Sequence, residues 1–319
     1  MRLLISGAAG FLGSHLSEYF LRQGHEVVGV DNLCTGSEDN VEILGKFENF
    51  TFIRADVTAG FEANARFDRV VHFASPASPP DYQKLPLETY WINTQGTENM
   101  LKIAERDKAR FMFASTSEIY GNPEIHPQPE TYRGNVSPNG DRSMYDEGKR
   151  GGETITAIYR RDHGVDARVI RIFNTYGPRL RPGDGRVVSN FIVQALSSLP
   201  LTVYGDGSQT RSLCYVSDEI EGVVSFLEYE YESEIDGFDS DFYTVNIGNP
   251  AEVTVLELAE TVNRLFNPEG TITYHDLPPH DPERRQPDIS KINSLTGWKP
   301  KVDLEQGLKL TAEFFRTQL

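Results

Sequence analysis

The chain has 319 residues, 38% of them hydrophobic, enough for a sizeable core, and no apolar run of about eighteen residues that would cross a membrane as a helix. A formal net charge of −16 excludes nucleic acid as an expected partner, because phosphate binding needs a basic face. Cys34 and Cys214 form no CxxC pair, and His275 and His280 are separated by a "DLPP" that cannot make a helical metal pair. The expectation is therefore free thiols, no metal and, without a signal-peptide pattern, a cytoplasmic protein.

Residues 2–6, "RLLIS", have the apolar run of a buried strand and lead into "GAAGFLG". Gly7, Gly10 and Gly13 omit a Cβ where backbone turns, approaches a pyrophosphate or packs on the sheet. The helix pattern "LGSHLSEYFLRQG" then offers N-terminal N–H groups to phosphate. "EVVGVD" is a second strand ending in Asp31, whose carboxylate suits the adenosine ribose diol and repels a 2′-phosphate, favouring NAD over NADP. "FTFIRAD" is a third strand with Asp56 and Val57 placed for the adenine, and "RVVHFAS" a fourth. "PLETYWINTQGTENMLKIAERD" has a helical pattern, "RFMFAS" is a fifth strand, and "ARVIRIFN" a sixth after a helix from near Ser143. This alternation predicts an α/β fold with a Rossmann-type, doubly wound parallel sheet.

Past "FNTYGP" the spacing loosens, with a helix in "RVVSNFIVQALSS", an extended "LTVYG" and a strand-like "YTVNIGN". A helix in "TVLELAETVNRLF", a strand "TITYH" and a final helix in "LEQGLKLTAEFFRTQL" complete it. Residues 1–175 are expected to form an NAD-binding Rossmann domain. Residues 176–319 are expected to form mainly a smaller C-terminal substrate-binding lobe for the nucleotide sugar, with part of this region returning to the main sheet. The acidic run 228–241 has the composition of a solvated connection.

Residues 113–121, "FASTSEIYG", leave the fifth strand at its carboxyl end, where ligands face such sheets. The three hydroxyls suit polarisation of an alcohol or ketone, but Glu118 adds a carboxylate that such chemistry does not need. "YDEGK" sets Tyr145 and Lys149 four residues apart, on one face of a helix. A nearby ammonium lowers a tyrosine's pKa, so the pair can take a proton from an alcohol as hydride leaves.

The glycine spacing, "HFAS" at 72–75 and the Tyr145–Lys149 pair resemble the extended short-chain dehydrogenase/reductase superfamily, particularly its branch acting on nucleotide sugars. Within it, "ASPASPPDY", "STSEIYG", "YDEGKR", "RIFNTYGPR", "DGRVVSNF", "LTVYGDGSQTR" and "RRQPDI" resemble the UDP-glucuronate decarboxylases, which form UDP-xylose. The acidic run after Glu228 is the clearest departure. The resemblance implies NAD as cofactor, a UDP-sugar as substrate, and a homodimer through the Tyr-Lys helix and the one before it. Cofactor contacts are implied for Gly7, Gly10, Phe11, Leu12, Gly13, Asp31, Asn32, Thr35 and Gly36, and for Asp56, Val57, Phe73, Ser75, Tyr145 and Lys149. Tyr145 is the implied base, and Thr116 binds the reacting oxygen. Glu118 is placed to hold the ring or a water near C5, and Arg285 to steer anionic groups. Asn174 and Arg211 fall to the diphosphate, Tyr204 to the uracil, and Arg186, Ser117 and Tyr82 to the same crevice.

The implied reaction oxidises C4 of UDP-glucuronate, loses CO2 from the resulting β-keto acid, and returns the hydrogen to C4. The 4,6-dehydratases carry Asp-Glu where this chain has Ser117-Glu118, and sugar 4-epimerases lack an acid at the Glu118 position. The pair therefore favours decarboxylation over both. A decarboxylase releasing the UDP-4-keto-pentose and a non-catalytic nucleotide-sensing protein are the other readings.

Overall fold

The computed structural model describes residues 1–231, 243–276 and 284–319. The apolar runs of the first half become parallel strands β1 (Arg2–Ser6), β2 (Glu26–Asp31), β3 (Phe50–Arg54), β4 (Arg69–His72), β5 (Arg110–Thr116) and β6 (Ala167–Ile172). A seventh strand, Thr244–Ile247, comes from the carboxyl-terminal part of the chain and pairs in parallel with β6, Thr244 facing Val169. Across the sheet the order is Thr244–Ile247, β6, β5, β4, β1, β2, β3. Strand order reverses between β1 and β4, which opens a crevice at the carboxyl ends of the strands. All of β5 is buried, as expected for a central strand covered on both faces.

The segment with one helical pattern before β5 is continuous but not uniform. Pro86–Trp91 and Thr97–Asp107 are α-helical, and between them Ile92–Gly96 forms a wide π turn. Within that turn Asn93 Nδ2 donates to the Thr89 carbonyl at 2.8 Å and to Ser75 Oγ at 3.0 Å. Its own carbonyl accepts from the Thr97 hydroxyl at 2.6 Å. The neighbouring helix Ser143–His163 can approach because residue 152 is glycine: a Cβ there would lie 2.6 Å from the Asn93 carbonyl oxygen.

The smaller lobe contains helix Val187–Leu196, the parallel pair Leu201–Tyr204 and Ile272–His275, and helices Val255–Phe266 and Leu304–Arg316. Thr254 starts Val255–Phe266 with a capping box to Glu257. Phe191, Val203, Leu258 and Phe315 of the lobe belong to one buried cluster with Leu3, Ile5 and Leu16 of the sheet layer. Apolar packing therefore holds the lobe against the sheet beside the crevice.

The described start of the acidic run lies at the amino ends of the strands, opposite the crevice. Glu228 pairs with Arg69 and Glu230 with Arg110, each at 2.8 Å, and these arginines open β4 and β5 at their amino ends. The remainder of that run from residue 232, and His280, lie outside the described residues. Among the described residues no group of His, Cys, Asp and Glu could hold a metal ion, and no helix is long and apolar enough to cross a membrane.

Glu219 is fully buried on helix Val216–Leu227, behind the cavity-lining Thr175, and neither carboxylate oxygen completes a hydrogen bond among the described residues although Cys214 and Thr175 lie beside it. Burial pushes its carboxyl up to about 8. A carboxyl raised in the folded state contributes stability that is complete below its unfolded value and is lost as pH rises through the folded one. Glu219→Gln is therefore expected to gain stability relative to the parent between pH 5 and pH 8, on the order of a few kcal/mol. Denaturant unfolding at the two pH values measures it, and a pH-independent difference would refute it.

Candidate active site

Three glycines open the site for different reasons. Gly7 has φ +73°, and a Cβ there would lie 2.6 Å from the Ala74 nitrogen. At Gly13 a Cβ would collide with the Gly7 carbonyl. Gly10 is different: its nearest neighbour would be the Gly7 oxygen at 3.2 Å, and the position lines a cavity of about 1350 Å³. Helix Phe11–Arg22 starts at Gly10 with no side-chain cap, leaving N–H groups for an anion. Gly13→Ala is thus expected to lower the melting temperature, by the equivalent of about 1–3 kcal/mol. Gly10→Ala should leave melting of the cofactor-free protein near the parent's while weakening NAD binding. Calorimetry and NAD titration separate the two, and equal melting losses would contradict this division.

The cradle fits a dinucleotide. Phe11, Leu12, Thr35, Phe73 and Ser75 line the same cavity, Phe73 and Ser75 because β4 ends at His72 and releases them to the crevice. Asp31 ends β2 and accepts from the Ala9 N–H at 3.0 Å and the Leu33 N–H at 2.8 Å. A side chain on Gly36 would crowd its carboxylate oxygens at 3.1 and 3.2 Å. Asn32 donates to Asp56 at 3.3 Å, and buried Val57 follows. Asp31, Asn32, Gly36, Asp56 and Val57 thus cluster at the ends of β2 and β3, outside the main cavity's wall.

Helical spacing brings Tyr145 and Lys149 together as the sequence suggests. Lys149 is buried, donates to the Ala114 carbonyl at 2.7 Å, and its ammonium lies 5.8 Å from the Tyr145 ring centre. Burial pulls the Lys149 ammonium down to about 7. Tyr145 stacks on Tyr82 with ring centres 5.1 Å apart, and Thr116 lies beside its hydroxyl. Burial pushes its hydroxyl up to about 12, while Thr116 and the Arg186 charge pull it back. His72, part of the "HFAS" mark, is a buried structural link: its ring bonds Ser6 Oγ at 2.6 Å and the Ile92 carbonyl at 3.0 Å, and burial lowers it to about 3.

Glu118 is the second residue of the short turn Ser117–Tyr120 that follows β5. Its two carboxylate oxygens pair with two different arginines, Arg142 and Arg285. Arg285 is buried, and that burial pulls its guanidinium down to about 10. Behind the turn, the Tyr120 hydroxyl accepts from Arg171 at 3.0 Å and donates to Asn246 at 2.7 Å, and Arg171 pairs with Glu153 at 2.8 Å. This buried network fixes the loop that aims Glu118. Ser117, Asn174, Arg186, Tyr204 and Arg211 line the cavity with Thr116, Tyr145 and Glu118. Tyr204 lies at the lobe side and is largely exposed, with its ring 6.0 Å from that of His275.

The sequence reading did not include Arg142, Asp146 or Asn93. Asp146 lies inside "YDEGK" and Arg142 three residues before it, both in the cavity wall, and the signal available for them was a charge at the N-cap and another in the first turn of helix Ser143–His163. Asn93 had no signal in the helical pattern, since its role depends on the inserted residue of the π turn.

The arrangement can remove a proton from a sugar hydroxyl at Tyr145, hold the resulting oxygen at Thr116, and set a carboxylate between two cations beside it. Residues 3–248 match the NAD dependent epimerase/dehydratase family. UDP-glucuronic acid decarboxylase 3 of Arabidopsis thaliana is 50% identical over all of this chain and 90% of its own length. UDP-glucuronic acid decarboxylase 1 of Xenopus tropicalis is 48% identical over all of this chain and 73% of its own. Among solved structures, the UDP-glucuronic acid 4-epimerase from Bacillus cereus in complex with UDP-glucuronic acid and NAD superposes with a TM-score of 0.86 at 28% identity over 100% of both chains. The UDP-glucose 4-epimerase of Thermotoga maritima with UDP-glucose gives 0.87 at 28% identity, over 100% of this chain and 99% of its own.

Proposed function

The chain belongs to the NAD dependent epimerase/dehydratase family, and from that premise we propose that it converts UDP-glucuronate to UDP-xylose and CO2 by oxidative decarboxylation with NAD recycled in every turnover. The observation that carries this reading is Glu118, preceded by Ser117 and paired with Arg142 and Arg285, beside the Thr116–Tyr145–Lys149 group. The names of the relatives half-identical over the whole chain support it.

NAD, which the loop carrying Gly7, Gly10 and Gly13 and the Asp31 carboxylate would hold, would supply a reversible two-electron oxidation at C4. Tyr145 receives the C4 hydroxyl proton, aided by the Lys149 ammonium on the same helix face. Oxidation sets a ketone β to the C6 carboxylate, so the electrons freed by CO2 loss enter an enolate. Thr116 and Tyr145 hold that enolate's oxygen by hydrogen bonds in a site shielded from water. Glu118 holds the ring or a water near C5, where a proton must be added. Asn174 and Arg211 bind the diphosphate, Tyr204 the uracil, and Arg285 orients the anionic sugar. Ser117 offers no carboxylic acid to protonate a leaving hydroxyl, which disfavours the dehydratase reading.

The test is product analysis with UDP-glucuronate and NAD in catalytic amount. CO2 and UDP-xylose without net NADH are expected. Stoichiometric NADH with a UDP-4-keto-pentose would instead identify the partial reaction, and UDP-galacturonate would identify an epimerase.

We also propose a homodimer through helices Pro86–Trp91 and Ser143–His163. Leu87, Tyr90, Trp91 and Ile158 on these helices expose large apolar surfaces. Light scattering should give a dimer mass, and Leu87→Glu with Trp91→Glu a monomer; an unchanged mass in the double variant would place the contact elsewhere. Exposed Cys34 and buried Cys214 are free thiols, which supports residence in a reducing compartment such as the cytoplasm; cell fractionation tests this.

A further inference from the structure

Arg142 and Asp146 stand one helical turn apart at the start of the Tyr145–Lys149 helix, and the mechanism above uses neither. Both line the cavity. The Asp146 N–H donates to the Arg142 carbonyl at 3.0 Å, which fixes the turn, while the Arg142 guanidinium reaches across to Glu118. Each side chain has one atom left over. Arg142 Nε and Asp146 Oδ1 are buried without a hydrogen-bond partner among the described residues. Asp146 is only 9% exposed, and burial pushes its carboxyl up to about 7 against the pull of Arg142. An unmet donor and an unmet acceptor at i and i+4 of one helix come within reach by rotation of the longer side chain.

Glu118, meanwhile, is over-committed. One oxygen is held by Arg142 and the other by Arg285. A carboxylate neutralised by two guanidiniums is a weak acceptor for a sugar hydroxyl or a water, which is the task the reaction sets it. Of its two arginines, Arg285 has the neutral phenol of Tyr82 as its other neighbour. Arg142 has a second carboxylate, Asp146.

Resting on the decarboxylase reading, we propose that Arg142 is a swinging positioning residue. It pairs with Glu118 as seen here and passes its guanidinium to Asp146 when the nucleotide sugar binds, freeing one Glu118 oxygen to face the sugar. The exchange replaces one arginine–carboxylate contact with another, so no guanidinium is left unpaired in the site. In the swung state the two orphan atoms satisfy each other.

A crystal structure of the parent protein with NAD and UDP-xylose tests the exchange directly. Arg142 on Asp146 with a Glu118 oxygen turned to the sugar is expected, and Arg142 still on Glu118 would overturn the proposal. In solution, Asp146→Asn keeps the size and removes the ionic landing site. Its kcat is expected to fall at least about tenfold with KM and UDP affinity within about twofold, and reduced cofactor should build up on the enzyme because the block follows oxidation. Adding Arg142→Gln should then restore activity about fivefold over Asp146→Asn alone, by unlocking Glu118. Loss of activity in proportion to lost folded protein, without reduced cofactor or suppression, would also overturn it. A parent protein that releases no CO2 from UDP-glucuronate would sink the decarboxylase reading itself, while the arginine exchange would still be read from the structure.

Discussion

Tyr145→Phe is expected to lower kcat by about three orders of magnitude while leaving UDP affinity within about twofold. The phenylalanine keeps the stack on Tyr82 and the helix position, so the cleft retains its shape. What disappears is the proton acceptor for the C4 hydroxyl and one of two hydrogen bonds to the developing oxygen, the other coming from Thr116. Burial pushes the Tyr145 hydroxyl up to about 12, far above neutrality. Proton transfer at neutral pH therefore needs the positive field of Lys149 and of the bound oxidised cofactor. A single-turnover experiment reads the defect: no reduced cofactor should form on the enzyme. Cofactor reduction at a rate near the parent's would remove Tyr145 from the role of base.

Glu118→Gln should reduce CO2 release by about two orders of magnitude, with UDP binding little changed. Glutamine preserves the outline of the side chain but cancels the charge between Arg142 and Arg285. Arg285 is buried, so loss of its anionic partner should also lower stability, on the order of a few kcal/mol. The kinetic and stability effects are separated by measuring turnover per folded molecule, with NAD and UDP-glucuronate saturating. An unchanged rate would reduce Glu118 to scaffolding, and a rise in KM at constant kcat would make it a binding group alone.

Much of this site is legible without coordinates because its signals are local. A glycine loop between an apolar strand and a helix, an aspartate closing the next strand, and a tyrosine with lysine one helical turn later are patterns that backbone geometry imposes over short stretches. Strand–helix alternation likewise encodes the parallel sheet, since each buried run must be followed by a crossover. The pairing of Ser117 with Glu118 carried chemical information by the presence of one acid and the absence of another.

Other features depend on residues that meet only when the chain is folded. Glu118 lies between Arg142, just before helix Ser143–His163, and Arg285, near the far end of the chain, and no spacing rule connects those positions. Asn93 reaches Ser75 because an inserted residue widens one helical turn against Gly152, a local defect inside a good helical pattern. The Tyr120–Arg171–Asn246 network joins a turn, β6 and the seventh strand. Local sequence determined the sheet, the glycine loop and the Tyr145–Lys149 pair, since each follows from strand or helix geometry over a few residues. Tertiary structure decided the electrostatic state of the carboxylate beside them, because that state is set by charges brought from distant segments and stripped of water.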